Sequence, residues 1–296
     1  MVGYTVYMKT GFAILIGRSN VGKSTLLNTL VGTKIAATSF RAQMTRDIIH
    51  GVVNLPAGEA GMPEGQAVFI DTPGIFKGGK SELTAKLINK AKGALEGVDI
   101  ILYVVDPSRE IGEEERFTFG LIRHLEIPKI LIINKSDLPV QEREYQEDYE
   151  RLGKDFDGIF SLSALRGSHI QPLKEKVIEL LPEGEPMYPE GQLTNVHEYF
   201  WISELIREKV FSVFEQEVPY SIMVEVDNVE EKPDIFVITA RILTHSDRYK
   251  KIIIGRGGQK IKEIGKMARR ELEQSLNKKV YLELEVEIDT HWVERV

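Results

Sequence analysis

The chain has 296 residues, 42% of them hydrophobic and 28% charged, with no cysteine and a formal charge of −7 at pH 7. This composition suits a soluble protein of one large or two ordinary domains and leaves out disulfides and thiolate metal sites; no apolar run approaches the ~18 residues of a membrane-spanning helix, and Met1–Thr10 lacks the basic start and apolar core of a secretory signal. The acidic total weighs only weakly against a nucleic-acid partner, because a local basic face still acts on a phosphate backbone.

In chain order, the apolar runs Phe12–Ile16, Ala67–Ile70, Ile100–Val105, Lys129–Ile133 and Ile159–Leu162 alternate with the helix-length segments Lys23–Val31, Glu82–Leu95, Glu113–Leu125 and Gln171–Leu181. Most of the runs are continuously apolar, as in strands covered on both faces. Repeated strand–helix order predicts an α/β domain with a mostly parallel sheet and helices on both faces. Asn54–Gly65, polar and rich in Gly and Pro, predicts an extended hairpin loop between two strands. Leu181–Gly191 holds three prolines and two glycines and reads as a linker. After it, Ile202, Leu205, Ile206, Val210, Val213 and Phe214 fall on one helical face. Strand candidates Tyr220–Val229 and Ile235–Thr244, a glycine turn, a helix over Gln259–Leu276 and a strand over Val280–Ile288 complete a small α+β domain. The expected boundaries are 1–182 for the first domain, 183–194 for the linker and 195–296 for the second domain.

Gly17-Arg18-Ser19-Asn20-Val21-Gly22-Lys23-Ser24, with Thr25 next, follows the first strand and opens a helix, the setting of a phosphate-binding P-loop. Its glycines let backbone amides wrap a polyphosphate; Lys23 neutralises the β- and γ-phosphates and Ser24 ligates Mg²⁺. Asp71-Thr72-Pro73-Gly74 ends the second run. There a carboxylate can hold Mg²⁺ and the Gly74 amide can meet a γ-phosphate. Asn134-Lys135-Ser136-Asp137, followed by Leu138, ends the fourth run and selects the base. One carboxylate accepts both N1–H and the exocyclic amine of guanine, whereas adenine would leave it unpaired and partly buried. Lys135 covers the base with its stem and Asn134 braces the loop. Ser163-Ala164-Leu165 ends the next run, where the Ala164 amide can meet guanine O6. Ile75 stands where Ras-like proteins carry a water-positioning glutamine, and an apolar side chain cannot orient a nucleophile.

These motifs together resemble the translation-factor-related P-loop GTPases. The resemblance implies that Thr45, in Arg41-Ala42-Gln43-Met44-Thr45-Arg46, reaches Mg²⁺ when the γ-phosphate is present. Lys23, Thr45 and Gly74 are then the catalytic candidates, and Ser24, Thr45 and Asp71 the metal ligands. Asn20 matches an asparagine that ligates K⁺ in some related GTPases and reads equally as a cap of the local turn.

In the second domain, Ile252-Ile253-Ile254-Gly255-Arg256-Gly257-Gly258-Gln259-Lys260-Ile261 matches the core of a KH domain, whose G-x-x-G loop clamps the backbone of about four single-stranded nucleotides. Arg248, Lys250, Lys251, Arg256, Lys260, Lys262, Lys266, Arg269 and Arg270 face Glu263 as the sole acid from 248 to 270. A charge run is usually a solvated helix face; one that surrounds a Gly-rich turn in an otherwise acidic chain favours RNA. The RNA-binding candidates are Ile254, Gly255, Arg256, Gly257, Gly258, Lys260, Lys262, Lys266, Arg269 and Arg270. Ile252–Ile254, Ile261 and Ile264 are expected to pack the core and line the base groove only at its edge.

A P-loop GTPase domain followed by a Pro-rich linker and one type II KH domain resembles the Era family over nearly the whole chain. The marks are GRSNVGKS, DTPG, NKSD, SAL, a helix ending in Glu217-Val218-Pro219, and IIIGRGGQKIKEIGKMARRELE followed by VYLELEV. The family usually carries two threonines before Arg46; the first is Met44 here, which leaves Thr45 as the Mg²⁺ candidate. The resemblance implies GTP and GDP as ligands and Mg²⁺ as cofactor. It also implies the 3′ end of small-subunit ribosomal RNA and the 30S subunit as partners, and a cytoplasmic place with peripheral inner-membrane association. The chain is expected to act as a monomer. A GTPase switch that gates RNA binding is the first functional reading; an RNA-binding assembly protein with a structural nucleotide is the second. A GTPase of tRNA modification or membrane traffic is disfavoured by the KH-like domain.

The six histidines show no metal-ligand spacing. Glu113–Glu115 marks a helix N-terminus, and Trp201 and Trp292 read as packing residues.

Overall fold

The apolar runs condense into one seven-stranded sheet in the computed structural model, which describes residues 8–38, 44–56, 64–75, 82–214 and 217–296. β1 (Met8–Ile16), β3 (Gly65–Asp71), β4 (Ile100–Val105), β5 (Lys129–Ile133) and β6 (Gly158–Ser161) run parallel in the order β3-β1-β4-β5-β6. Two antiparallel strands extend it. β2 (Ile49–Leu55) pairs with β3 at the edge, and β7 (Glu183–Gly184) pairs with Met8 and Lys9 of β1. Among the described residues the helices of this part are α1 (Lys23–Val31), α2 (Glu82–Gly93), α3 (Glu113–Ile122), α4 (Gln146–Leu152) and α5 (Ile170–Leu180). β4 is buried along its whole length. Alternate side chains supply two cores: Ile14, Ile16, Tyr103 and Ile133 pack with Ile122 of α3 and Tyr149 of α4, while α1 packs on β2 and β3 and α5 on β1 and β3.

The chain divides into two units, one of residues 1–36 and 45–195, the other of 37–44 and 196–296. The expected linker is not a loose tether within the first unit. Gln66 Oε1 accepts the amides of Met187 at 2.7 Å and Tyr188 at 2.9 Å, and the Val52 amide donates to the Leu193 carbonyl at 2.8 Å. The segment thereby satisfies polar groups of strands that would otherwise face water.

In the second unit, α6 (Glu198–Val213) and a three-stranded sheet enclose one core. The sheet order is β10 (Lys279–Ile288), β9 (Ile235–Thr244), β8 (Ile222–Glu231); β8 is antiparallel to β9 and β10 parallel to it. The crossover that a parallel pair requires is made by α7 (Asp247–Ile254) and α8 (Gln259–Leu276). Ser246 caps α7, its Oγ accepting the Tyr249 amide at 3.3 Å. Ile202, Ile206, Val210, Ile238, Ile242, Ile253 and Ile264 are buried together, and Trp292 is buried as expected. Ile252 is 37% exposed instead of packed. α6 ends at Val213, so Glu217-Val218-Pro219 opens a separate short turn over Val218–Ser221; Pro219 has no amide hydrogen with which to continue a helix. Residues 37–44 belong to this unit through both ends. Ala37 and Met44 pack on Phe211, Glu208 Oε2 accepts the Thr38 amide at 3.1 Å, and Arg207 donates to the Met44 carbonyl. Arg41, Ala42 and Gln43, and residues 57–63 of the expected hairpin loop, lie outside the described residues.

Candidate functional site

α1 starts at Lys23, directly after Gly22, whose left-handed backbone ends the loop from Gly17. A Cβ at Gly22 would sit 2.3 Å from Asn134 Nδ2, so the close approach of phosphate loop and base loop requires glycine. Lys23 is buried, and its Nζ donates to the carbonyls of Gly17 and Arg18, each at 2.9 Å. Burial lowers the Lys23 ammonium to about 8, against the opposing pull of Asp71 and Glu115. A bound phosphate would restore its ordinary affinity for a proton, so binding takes up a proton above about pH 8 and affinity falls as pH rises. GDP should bind about tenfold more weakly at pH 9 than at pH 7 by fluorescence titration; a flat profile would contradict this role for Lys23.

Three oxygen-bearing side chains meet beyond the loop. Ser24 Oγ lies 2.8 Å from Thr45 Oγ1 and donates to Asp71 Oδ2 at 2.5 Å, and Thr45 Oγ1 reaches the same oxygen at 3.3 Å. Burial raises the Asp71 carboxyl against the opposing effects of Lys23, Ser24 and Thr45. Asp71 Oδ1 is buried with no hydrogen-bond partner among the described residues. A carboxylate with one oxygen free of hydrogen bonds and the other shared by two hydroxyls suits a hard cation. Thr72 is fully buried, its Oγ1 donating to the Leu15 carbonyl at 2.8 Å, and fixes the turn through Pro73. At Gly74 a Cβ would lie 2.7 Å from Ser19 Cα, so the loops of residues 17–24 and 71–74 touch through a bare backbone. Ile75 is buried in the sheet core, with its amide on the Gly17 carbonyl at 3.2 Å.

The base loop is tied to this centre by Asn134. Its Nδ2 donates to the Val21 carbonyl at 2.8 Å, and its Oδ1 accepts the Ala164 amide at 2.9 Å. The Ala164 amide expected for guanine O6 therefore already has a partner, and a base oxygen has to share it. Asp137 accepts from Ser163 Oγ, which joins the base loop to the Ser163-Ala164-Leu165 segment. Asp137 is exposed, as is Leu165. Lys135 has a left-handed backbone (φ 62°) and pairs with Asp106; Leu138 closes the turn, its amide on the Lys135 carbonyl at 3.0 Å. Thr25 is half-buried on α1. Asn20 also has positive φ (65°), a conformation asparagine tolerates.

Glu115 has a role that its place in a helix N-terminal acid run hid. It is fully buried and pairs with Arg18, Nε to Oε2 at 2.6 Å. Tyr103 donates to it, and Tyr149 Oη lies 3.1 Å from its Oε2.

In the second unit, Gly257 and Gly258 have left-handed backbones (φ 60° and 76°), and a Cβ on either would meet no atom within 4 Å. Arg256, Lys262, Lys266, Arg269 and Arg270 are exposed; Ile254, Gly255, Gly258 and Lys260 are half-buried. A cleft of about 390 Å³ runs between α8 and β10, with Ile261, Lys262, Gly265, Lys266 and Arg269 on one wall and Tyr281, Leu282 and Leu284 on the other. The second wall escaped the sequence reading because alternating apolar residues of β10 look like ordinary core. Tyr281, 54% exposed, was the available signal. Cationic and aromatic residues around an apolar floor suit phosphates at the rim and bases inside.

A parallel sheet whose first turn carries the G-x-x-x-x-G-K-S sequence, with the Asn134 loop braced onto that turn, is the architecture of a P-loop GTPase, here joined to a KH domain. Comparison with known proteins agrees. The family described as 50S ribosome-binding GTPase matches residues 12–135, and the KH domain family matches 217–293. GTPase Era of Halothermothrix orenii is 40% identical over 291 residues, covering 97% of this chain and 95% of that protein. GTPase Era of Geotalea daltonii is 41% identical over 288 residues, with 96% and 94% covered. A crystal structure of Era in complex with MgGDPNP and nucleotides 1506–1542 of 16S ribosomal RNA is similar at a TM-score of 0.88 and 36% identity, covering 97% of this chain and 96% of that one. The chain belongs to the Era family and is a GTP hydrolase.

Proposed function

We propose that this GTPase binds the 3′ end of small-subunit ribosomal RNA through the cleft between α8 and β10, and that its nucleotide cycle assists 30S subunit maturation. The observation that carries the reading is the basic cleft beside a glycine loop with open space around it. The similar Era structure that holds nucleotides of 16S ribosomal RNA supports it. The reading includes a monomer in the cytoplasm with peripheral inner-membrane association.

At the nucleotide, the amides of residues 17–24 and Lys23 take the phosphates, and Asp137 and Lys135 take the edge and face of guanine. Ser24, Thr45 and Asp71 hold Mg²⁺, for which the orphaned Asp71 oxygen speaks. Mg²⁺ supplies charge neutralisation for phosphoryl transfer. Thr45 and Gly74 sense the γ-phosphate. Buried Ile75 offers no polar group to a water, so intrinsic hydrolysis is slow. The positive φ of Asn20 fits its turn, and a K⁺ ligand role stands on one comparison: hydrolysis should be faster in K⁺ than in Na⁺ buffer, and equal rates remove the ion. Multiple turnover should be seen with GTP; a chain that holds one GDP and never cycles would favour the assembly protein with a structural nucleotide. Crosslinking to cellular RNA with sequencing of bound fragments should recover the 3′ end of small-subunit ribosomal RNA, and enrichment of other RNA would overturn the partner.

A further inference from the structure

The loop from Asp106 to Gly112, between β4 and α3, carries none of the four nucleotide motifs, yet it is bonded to two of them. Asp106 is 1% exposed; one carboxylate oxygen pairs with Lys135 and the other accepts Ser108 N at 3.0 Å and Ser108 Oγ at 2.7 Å. Burial alone would raise this carboxyl, but the bonds from Lys135 and Ser108 outweigh it and hold it below the usual range. Lys135 sits in a strained left-handed conformation that something must hold. Three residues on, Arg109 Nη1 donates to the Ser19 carbonyl of the phosphate loop at 3.1 Å. Arg18 Nη1 returns a bond to the Glu110 carbonyl at 3.3 Å, and the Arg18–Glu115 pair anchors the far end. Tyr149 Oη, 3.1 Å from the Arg109 carbonyl, closes the set.

We propose that residues 106–112 form a latch that holds the base loop and the phosphate loop in register, with Asp106 and Arg109 as positioning residues that set the rate of guanine nucleotide release. This rests on the assignment of Lys135 and the 17–24 loop to the nucleotide. Asp106 acts through Lys135, which lies over the face of the base, and Arg109 acts through the carbonyl of Ser19. Neither touches the base edge read by Asp137 nor the reacting phosphate.

The test is stopped-flow release of a fluorescent GDP from wild type, Asp106→Asn and Arg109→Ala, with single-turnover hydrolysis and thermal melting alongside. Changes that loosen the groups around a bound ligand act mostly on its dissociation rate. Both variants should therefore release GDP faster, Asp106→Asn by about tenfold, with association and the single-turnover rate unchanged. Arg109→Lys should recover part of the loss. The ratio of GDP to IDP affinity should stay at the wild-type value, because the edge contact is untouched. Unchanged release in both variants would overturn the latch, as would a loss confined to association or a collapse of melting temperature that accounts for the change. Failure of the wild type to bind guanine nucleotide would instead overturn the site assignment beneath it.

Discussion

Asp137→Asn should weaken GDP binding by about a thousandfold and create affinity for xanthosine diphosphate. A carboxylate offers two acceptors to the two adjacent donors of guanine. An amide offers one acceptor and one donor; its NH₂ faces the exocyclic amine and leaves a donor opposed to a donor. Xanthine has an oxygen where guanine has that amine, so the same amide pairs with it on both atoms. Asp137 is exposed and its bond from Ser163 Oγ can be kept by the amide oxygen, so folding is not at stake. Calorimetric titration of both nucleotides into both proteins checks this. Equal GDP affinity in variant and wild type would remove Asp137 from base selection.

The double change Gly257→Asp, Gly258→Asp should lower RNA affinity by about a hundredfold or more and leave GTP hydrolysis without RNA unaltered. Both backbones are left-handed and both sites face open space, and aspartate is among the residues that accept this conformation. The carboxylates then occupy the position where a phosphodiester must lie, and their charge adds to the loss of two close approaches. Gly255 would be a poorer probe, because a Cβ there would lie 3.1 Å from the Lys260 amide and within 2.9 Å of its side chain, so lost binding would report lost structure. Filter binding with a small-subunit 3′-end RNA reads the outcome, and retained affinity would refute the clamp.

Much of the first domain was legible because burial on both faces writes a strand as an unbroken apolar run, and because the phosphate, base and metal motifs fall where such runs stop. β4 and β5 were read at their observed limits for that reason. Contacts made across the fold were not legible. Glu115 looked like a dipole-favoured acid, since nothing local distinguishes it from Glu113 and Glu114; only the sheet order that brings β4 beside β1 delivers Arg18 to it. Asp106 and Arg109 were silent for the same reason. The proline-rich stretch after α5 looked like a tether, and its binding to Gln66 depends on a partner more than a hundred residues earlier. In the KH domain the glycine loop and its cations were plain, while the β10 wall of the cleft carried only an alternation that any half-buried strand shows.

The brace from Asn134 to Val21 and the pair between Arg18 and Glu115 have a consequence for biosynthesis. During translation the phosphate loop leaves the ribosome long before the residues that fix it. A nascent chain that ends short of Ala164 lacks the amide that orients Asn134, so guanine nucleotide should stabilise early partly folded species only weakly by mass action. Ligand-assisted folding then waits until nearly the whole first unit has emerged, and until then β1 relies on its sheet neighbours and on the helices that pack on Ile14 and Ile16.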